Sequence, residues 1–209
     1  MEAVIEVYEK PYDFSVPVLC MDEQPVQLLK DVRPPISATM QHPERVDFEY
    51  ERAGVASLFL FCEPLAGWRE VSVRTHHTKV DWAQEMAKLL TGRYAKCEKV
   101  VLVCDHLATH TQGAFYEAFD AATARSLVKR IEFVKTPTHG SWLNASECEL
   151  SAMTRQCVKG RRFGTIEELQ KETRAWFQAI NTKQRLVDWQ FTLENARVEL
   201  KALYPKLIT

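Results

Sequence analysis

Val55-Ala56-Ser57-Leu58-Phe59-Leu60-Phe61-Cys62 is apolar at nearly every position, where a half-buried strand would be apolar at every second one. Such a strand lies between layers, so this chain must cover a sheet on both faces. Glu63-Pro64-Leu65-Ala66-Gly67 reads as a turn, and the alternation of Trp68 to Thr75 suits a half-exposed antiparallel strand, so the first strands form hairpins. With 209 residues, 46% of them hydrophobic, the chain has enough apolar material for one large domain.

Beyond Thr78 the period changes. Val80, Ala83, Ala87, Leu89 and Leu90 fall at helical spacing, and that helix stops near Gly92. A strand at Val100 to Cys104, a helix around Ala114 to Phe119, a strand at Ile131 to Lys135 and a helix from about Leu143 then alternate as βαβ units do. Helices at Ile166 to Ile180 and Leu193 to Leu203 complete the pattern. The expected fold class is α/β: a mixed five-stranded sheet, antiparallel hairpins first and βαβ units after, flanked by helices. Between Gln24 and Gly54 the sequence is broken by Arg33-Pro34-Pro35, and only Val46 to Tyr50 alternates like a strand. Residues 1 to 10, ahead of Pro11 and Pro17, read as the tail of a connecting helix.

Charge narrows the options. Against 28 acidic residues stand 27 basic ones, a net charge of -1, so any grip on nucleic acid must come from local patches. The six cysteines include no Cys-x-x-Cys pair, and three lie within apolar runs, as reduced, mostly buried thiols of a cytoplasmic protein would. No apolar stretch is long enough to cross a bilayer and no signal peptide is evident, so no membrane partner is expected.

Three stretches end a hydrophobic run on an acid: Val16 to Asp22, Val100 to Asp105, and His139 to Glu147. In open α/β sheets ligands bind in the crevice beyond the carboxyl ends of the strands, and two neighbouring parallel strands would present Asp22 and Asp105 there together. Glu147, near the start of a helix, would reach the same crevice from the side. Each acid alone has a plainer reading, as a turn or cap residue or as a partner of the helix dipole. Three carboxylates a few ångströms apart repel strongly in a partly dry site, and two divalent cations are the usual remedy. A carboxylate cage left open to water and phosphate is the working part of a phosphodiester-cleaving enzyme.

The segments Cys20-Met21-Asp22-Glu23-Gln24-Pro25 and Val103-Cys104-Asp105-His106-Leu107-Ala108-Thr109-His110, with the Leu143-Asn144 pair ahead of Glu147, carry a resemblance. The sequence resembles the DDE transposases, specifically the bacterial insertion-sequence type related to mariner elements. Trp189 to Thr192, and Ala196 to Lys201 through Tyr204-Pro205, are similar to that group's C-terminal end. The resemblance implies a ribonuclease H-like fold holding two Mg²⁺ or Mn²⁺ ions on Asp22, Asp105 and Glu147, with Asp22 bridging both. It also implies in-line attack of water or a 3′ hydroxyl on a DNA phosphodiester, transposon ends and target DNA as partners, and a homodimer. Residues 1–10 then become the end of a linker helix from an N-terminal DNA-binding region, and 11–209 the catalytic domain.

Two departures from that family pattern stand out. The 42 positions from Asp105 to Glu147 exceed the family's usual interval, which implies an insertion between Gly113 and Ser126 and makes Glu149 a competitor for the third carboxylate. Glu147 is preferred, because it follows the Leu-Asn pair at the family's offset, and residues two apart on a helix point in different directions. His106 stands where the relatives usually carry Asn. His106, His110, His139 and Asn144 are candidates to orient the ligands from behind. Arg155, Lys159, Arg161 and Arg162 are candidates to hold DNA phosphates, with a solvated helix end as the plainer alternative. His76, His77, Lys79 and Trp82 form a second basic and aromatic patch, in which core packing suits Trp82 better than stacking on a base. Two other functions compete: a non-catalytic remnant that binds DNA or assembles, and a stand-alone ribonuclease H-like nuclease.

Overall fold

A computed structural model describes residues 1–138, 140–201 and 204. His139, Leu203 and Pro205, each singled out in the sequence, lie outside the described residues. Helix α1 (Glu2–Glu9) precedes three strands, β1 (Val18–Asp31), β2 (Tyr50–Glu63) and β3 (Trp68–Arg74). Helix α2 (Lys79–Thr91), strand β4 (Val100–Cys104), helices α3 (Gln112–Ala118) and α4 (Ala121–Val128), and strand β5 (Ile131–Lys135) follow. The remainder is helical: α5 (Ala145–Met153), continued by a π-helical turn at Thr154–Val158, then α6 (Ile166–Thr182) and α7 (Leu193–Glu199). The strands form one sheet in the order β3-β2-β1-β4-β5, antiparallel from β1 to β3 and parallel from β1 through β4 to β5.

Both sheet faces are covered, as the unbroken apolar run in β2 requires. On one face Cys20, Leu58, Leu60, Val101 and Val103 pack against α1, α5 and α6. On the other, Leu19, Met21, Phe59, Phe61, Leu102 and Cys104 meet α2, α3 and α4. Each fully buried large side chain of this kind contributes about 1.5–3 kcal/mol. The parity of each strand therefore decides the face to which a later side chain points. Even-numbered residues of β1 look toward α5 and odd-numbered ones toward α2. Beyond Cys104 the alternation of β4 would turn Asp105 toward α5 as well.

Several boundaries differ from those the sequence suggests. β1 runs nine residues past Asp22, paired with β2 alone, so Asp22 is inside a long strand and not at its end. Pro25, on this one-sided stretch, is tolerated because the strand has a free edge. Val46 to Glu49 is irregular: the alternation there is not backed by a partner strand, and an isolated bridge from Ile36 to Arg45 is the local β pairing. The helix read at Ala114 to Phe119 is α3, and a further helix that the sequence reading lacked, α4, follows it, started by Asp120, which accepts from the amides of Ala122 and Thr123. Helix α1 is part of the domain's own core, with Val4 and Ile5 fully buried.

Candidate functional site

The site is a crevice formed where β4 stops and β1 continues. Cys20 pairs with Val103 in the parallel ladder, and the same register carried two residues on sets Asp22 level with Asp105. Both carboxylates line one cavity of about 210 Å³, together with Glu23, Gln24, Pro25, Ser57, His77 and Leu107. Helix α5 lies on the Asp22 side and carries Glu147 in its first turn, with Asn144 as its N-cap. Asn144 is buried: its Nδ2 donates to the carbonyl of Met21 at 3.0 Å, and its Oδ1 accepts from the Ser146 hydroxyl at 2.6 Å. A second clamp comes from α1, where the Tyr8 hydroxyl donates to the Leu143 carbonyl at 2.9 Å and accepts from the Ala145 amide at 3.2 Å. These bonds fix the start of α5 beside Asp22.

Electrostatics ties the three acids together. Burial pushes the Asp22 carboxyl up to about 6, and the anions of Asp105 and Glu147 add to the effect, against the Glu23 amide and His110, which favour the charged form. Asp105 is held below the usual carboxylate range, first by its hydrogen bond with His110 and then by the Leu107 amide, with burial opposing. His110 Nδ1 lies 2.7 Å from Asp105 Oδ1, and the Leu107 N–H donates to the same oxygen at 3.0 Å. The second Asp105 oxygen makes no hydrogen bond among the described residues. Lys135, at the end of β5, closes the loop by donating to the carbonyls of Asp105 at 2.8 Å and His110 at 2.6 Å.

Glu149 is placed elsewhere. It grips Arg69 through two bonds, from Nε at 2.9 Å and from Nη2 at 2.6 Å, and the arginine side chain is buried. Glu147 makes no ion pair among the described residues. Of the histidines, His110 is fully buried against Trp82, whose ring centroid is 5.5 Å away, while His106 lies exposed in the loop after β4. Glu23, Ser57 and His77 also line the crevice, though nothing in their sequence context marked them as a group. His77 Nδ1 lies 3.3 Å from the Ser57 hydroxyl, on the cavity wall. The signal that could have found Glu23 is its place beside Asp22.

The cationic cluster divides. Arg155 and Lys159 are exposed, without an ion-pair partner among the described residues. Arg161 pairs with Glu172 at 2.8 Å and Arg162 with Asp31 at 2.6 Å, and both line a separate open cavity of about 400 Å³ with Lys30 and Lys171. Trp82 is core, and Trp142 is half exposed against Phe191. The segment between Gly113 and Ser126 forms α3 and most of α4.

Among the described residues no group of three or more His, Cys, Asp and Glu side chains could hold a metal ion by itself. The donor set still suits a hard cation: Mg²⁺ retains several waters and is bound through one or two carboxylates plus substrate phosphate. The Asp22 and Asp105 pair, with Glu147 felt by Asp22, is of that kind.

The family model for DDE superfamily endonucleases matches residues 17–170, a span that takes in all three acids. No curated protein matches the chain. Solved structures similar to it include the Mos1 strand transfer complex, at a TM-score of 0.58 and 16% identity over 88% of this chain and 55% of that one. The Mos1 mariner paired end complex with Mn gives 0.55, with the same identity and coverage. The Mos1 transposase paired-end complex with the left transposon end gives 0.54 at 16% identity, over 88% of this chain and 56% of that one. The chain thus spans about 55% of the length of these proteins, and the likeness is one of fold: ribonuclease H-like, with a mixed sheet flanked by helices. With the family model covering most of its length, the chain belongs to the DDE superfamily of endonucleases.

Proposed function

We propose that this domain cleaves DNA phosphodiester bonds, and joins strands, as the catalytic part of a transposase, with Asp22, Asp105 and Glu147 holding Mg²⁺ or Mn²⁺. The observation that carries the reading is the Asp22 carboxyl, which shares a cavity with Asp105 and is driven toward protonation by burial and by two neighbouring anions. Structural ion pairs lower carboxylate pKa values; this site raises one, as functional carboxylate clusters do. A pair of divalent ions there would supply charge neutralisation, a nucleophile at neutral pH and stabilisation of the leaving oxygen.

The chain's own residues have separable tasks. Asp105 offers one oxygen to the crevice while its other oxygen is held by His110 and the Leu107 amide. Asp22 offers a carboxylate from a rigid central strand, and its Oδ1 accepts from the Glu23 amide at 2.8 Å. Glu147 approaches from α5, at a position set by Asn144 and Tyr8. His77 and Ser57 line the crevice where a scissile phosphate would lie. Arg155 and Lys159 are the cations best free to meet phosphates further along the strand, whereas Arg161 and Arg162 would first have to exchange Glu172 and Asp31. Action as a homodimer on transposon ends and target DNA, a linker role for residues 1–10 and a place at the bacterial nucleoid complete the proposal. No helix of the described residues is long and apolar enough to cross a membrane.

The test is nicking of DNA that carries terminal inverted repeats, compared with random DNA and an RNA–DNA hybrid, with and without Mg²⁺. Nicking that needs Mg²⁺ and favours the repeats supports the transposase reading; preference for the hybrid favours a ribonuclease.

A further inference from the structure

All the buried side-chain polar atoms that lack a hydrogen-bond partner among the described residues belong to four side chains: Glu23 Oε2, Trp82 Nε1, Thr109 Oγ1 and His110 Nε2. They share one neighbourhood. Trp82 stacks near the His110 ring, Thr109 precedes His110 in the chain, and Glu23 Oε2 lies 3.6 Å from His110 Nε2. Native proteins rarely bury such atoms unpaired, and a cluster of them calls for an explanation. Strand parity supplies the rest. Asp22 points to the α5 face and Glu23 to the α2 face, where His110 is fully buried and reaches Asp105 with its other nitrogen at 2.7 Å.

We propose that Glu23 is a positioning residue for the metal site: it fixes the His110 ring from behind, and the ring in turn fixes Asp105. A carboxylate at each end of one imidazole leaves the ring a single orientation. That orientation keeps Asp105 Oδ1 engaged and turns its second oxygen toward the crevice. The 3.6 Å separation is just beyond hydrogen-bond length, and such contacts commonly tighten when the site is filled. Partners behind a metal ligand typically change metal affinity by 10- to 100-fold. The inference rests on the metal-site reading proposed above and adds to it a residue that does not itself touch the ion.

Two variants of the whole chain test it, with Mn²⁺ binding measured by calorimetry and single-turnover nicking measured in parallel. Glu23→Met keeps the volume but cannot accept from His110, whereas Glu23→Gln retains an accepting oxygen. The expected result is Mn²⁺ affinity about tenfold or more weaker in Glu23→Met, with kcat reduced more than KM and thermal stability undiminished. Glu23→Gln should return Mn²⁺ affinity to within about threefold of the parent. Equal Mn²⁺ affinity in Glu23→Met and the parent overturns the proposal, as does a loss in Glu23→Met that Glu23→Gln fails to recover. Asp105→Asn separates this failure from that of the wider reading: if it too binds Mn²⁺ like the parent, both the metal site and the role of Glu23 fall, whereas if it alone loses Mn²⁺, only Glu23 is misassigned.

Discussion

Two buried collections of charge lie within one sheet, and they are built on opposite rules. Around β3 and the far end of β2 every charge is answered: Arg69 binds Glu149, Arg93 and the Tyr94 hydroxyl bind Glu63, and Arg74 binds Glu85 and Asp81. Around the end of β4 the acids Asp22, Glu23, Asp105 and Glu147 gather with His110 as the one side chain paired to their carboxylates among the described residues, Lys135 being bonded to the backbone carbonyl of Asp105. A buried pair stripped of one partner is strongly destabilising, so the first arrangement is what folding alone would select. The second leaves carboxylates largely unanswered, and their repulsion adds to burial in holding the Asp22 carboxyl high.

The sharpest way to break this contrast is Asp105→Asn, which removes a carboxylate proposed above to hold metal and should leave the fold intact. Metal-dependent nicking should fall by about a thousandfold or more, the loss of several kcal/mol of transition-state stabilisation, with an unchanged circular dichroism spectrum. On the paired side, Arg69→Met strands Glu149 and should cost about 3–5 kcal/mol in urea unfolding. The double change Arg69→Met with Glu149→Leu should regain most of it, because no buried charge is then left unanswered.

Asp22→Asn carries the opposite sign in metal-free protein. The folded-state value of Asp22, about 6, lies above its ordinary 3.8, so below pH 3.8 the proton is present in both states and nothing is lost. As pH rises from about 4 to about 6 the folded chain must ionise a partly buried group, and stability falls. The variant should therefore be more stable than the parent at pH 7, on the order of 2 kcal/mol, and should lose that advantage on acidification through this window. Added Mg²⁺ should raise the melting temperature of the parent and leave the variant nearly unmoved. A smaller effect sets the scale for both regions: Thr165→Ala removes the capping box of α6, away from either cluster, and should cost about 1 kcal/mol without changing metal affinity.

The layered sheet was readable from its central strands: Leu58 to Cys62 in the second half of β2 and the whole of β4 are apolar without interruption and buried. Asp22 and Asp105 were readable as neighbours because β1 and β4 are parallel and adjacent. What escaped was long-range pairing. Nothing local in Gln24 to Asp31 announces that β1 continues as a ribbon with β2, since that stretch alternates only weakly and contains a proline. The Leu143-Asn144 pair already favoured Glu147 over Glu149, but nothing local announces that Glu149 is engaged by a buried arginine 80 residues earlier in the chain. Glu23 was passed over, and His77 was assigned to a separate basic patch, for the same reason: their place together arises only once strand pairing and the loop after β3 bring them to one crevice.

Tyr8 gives the first helix an influence that its place in the chain would not suggest. Its single hydroxyl takes hold of the backbone on both sides of Asn144, at the carbonyl of Leu143 and the amide of Ala145. Two acids are thus anchored in sheet framework, while the third hangs on a bracket gripped by α1. The seat of α1 therefore bears on where Glu147 stands, through one hydroxyl as well as through the core that this helix shares with the strands.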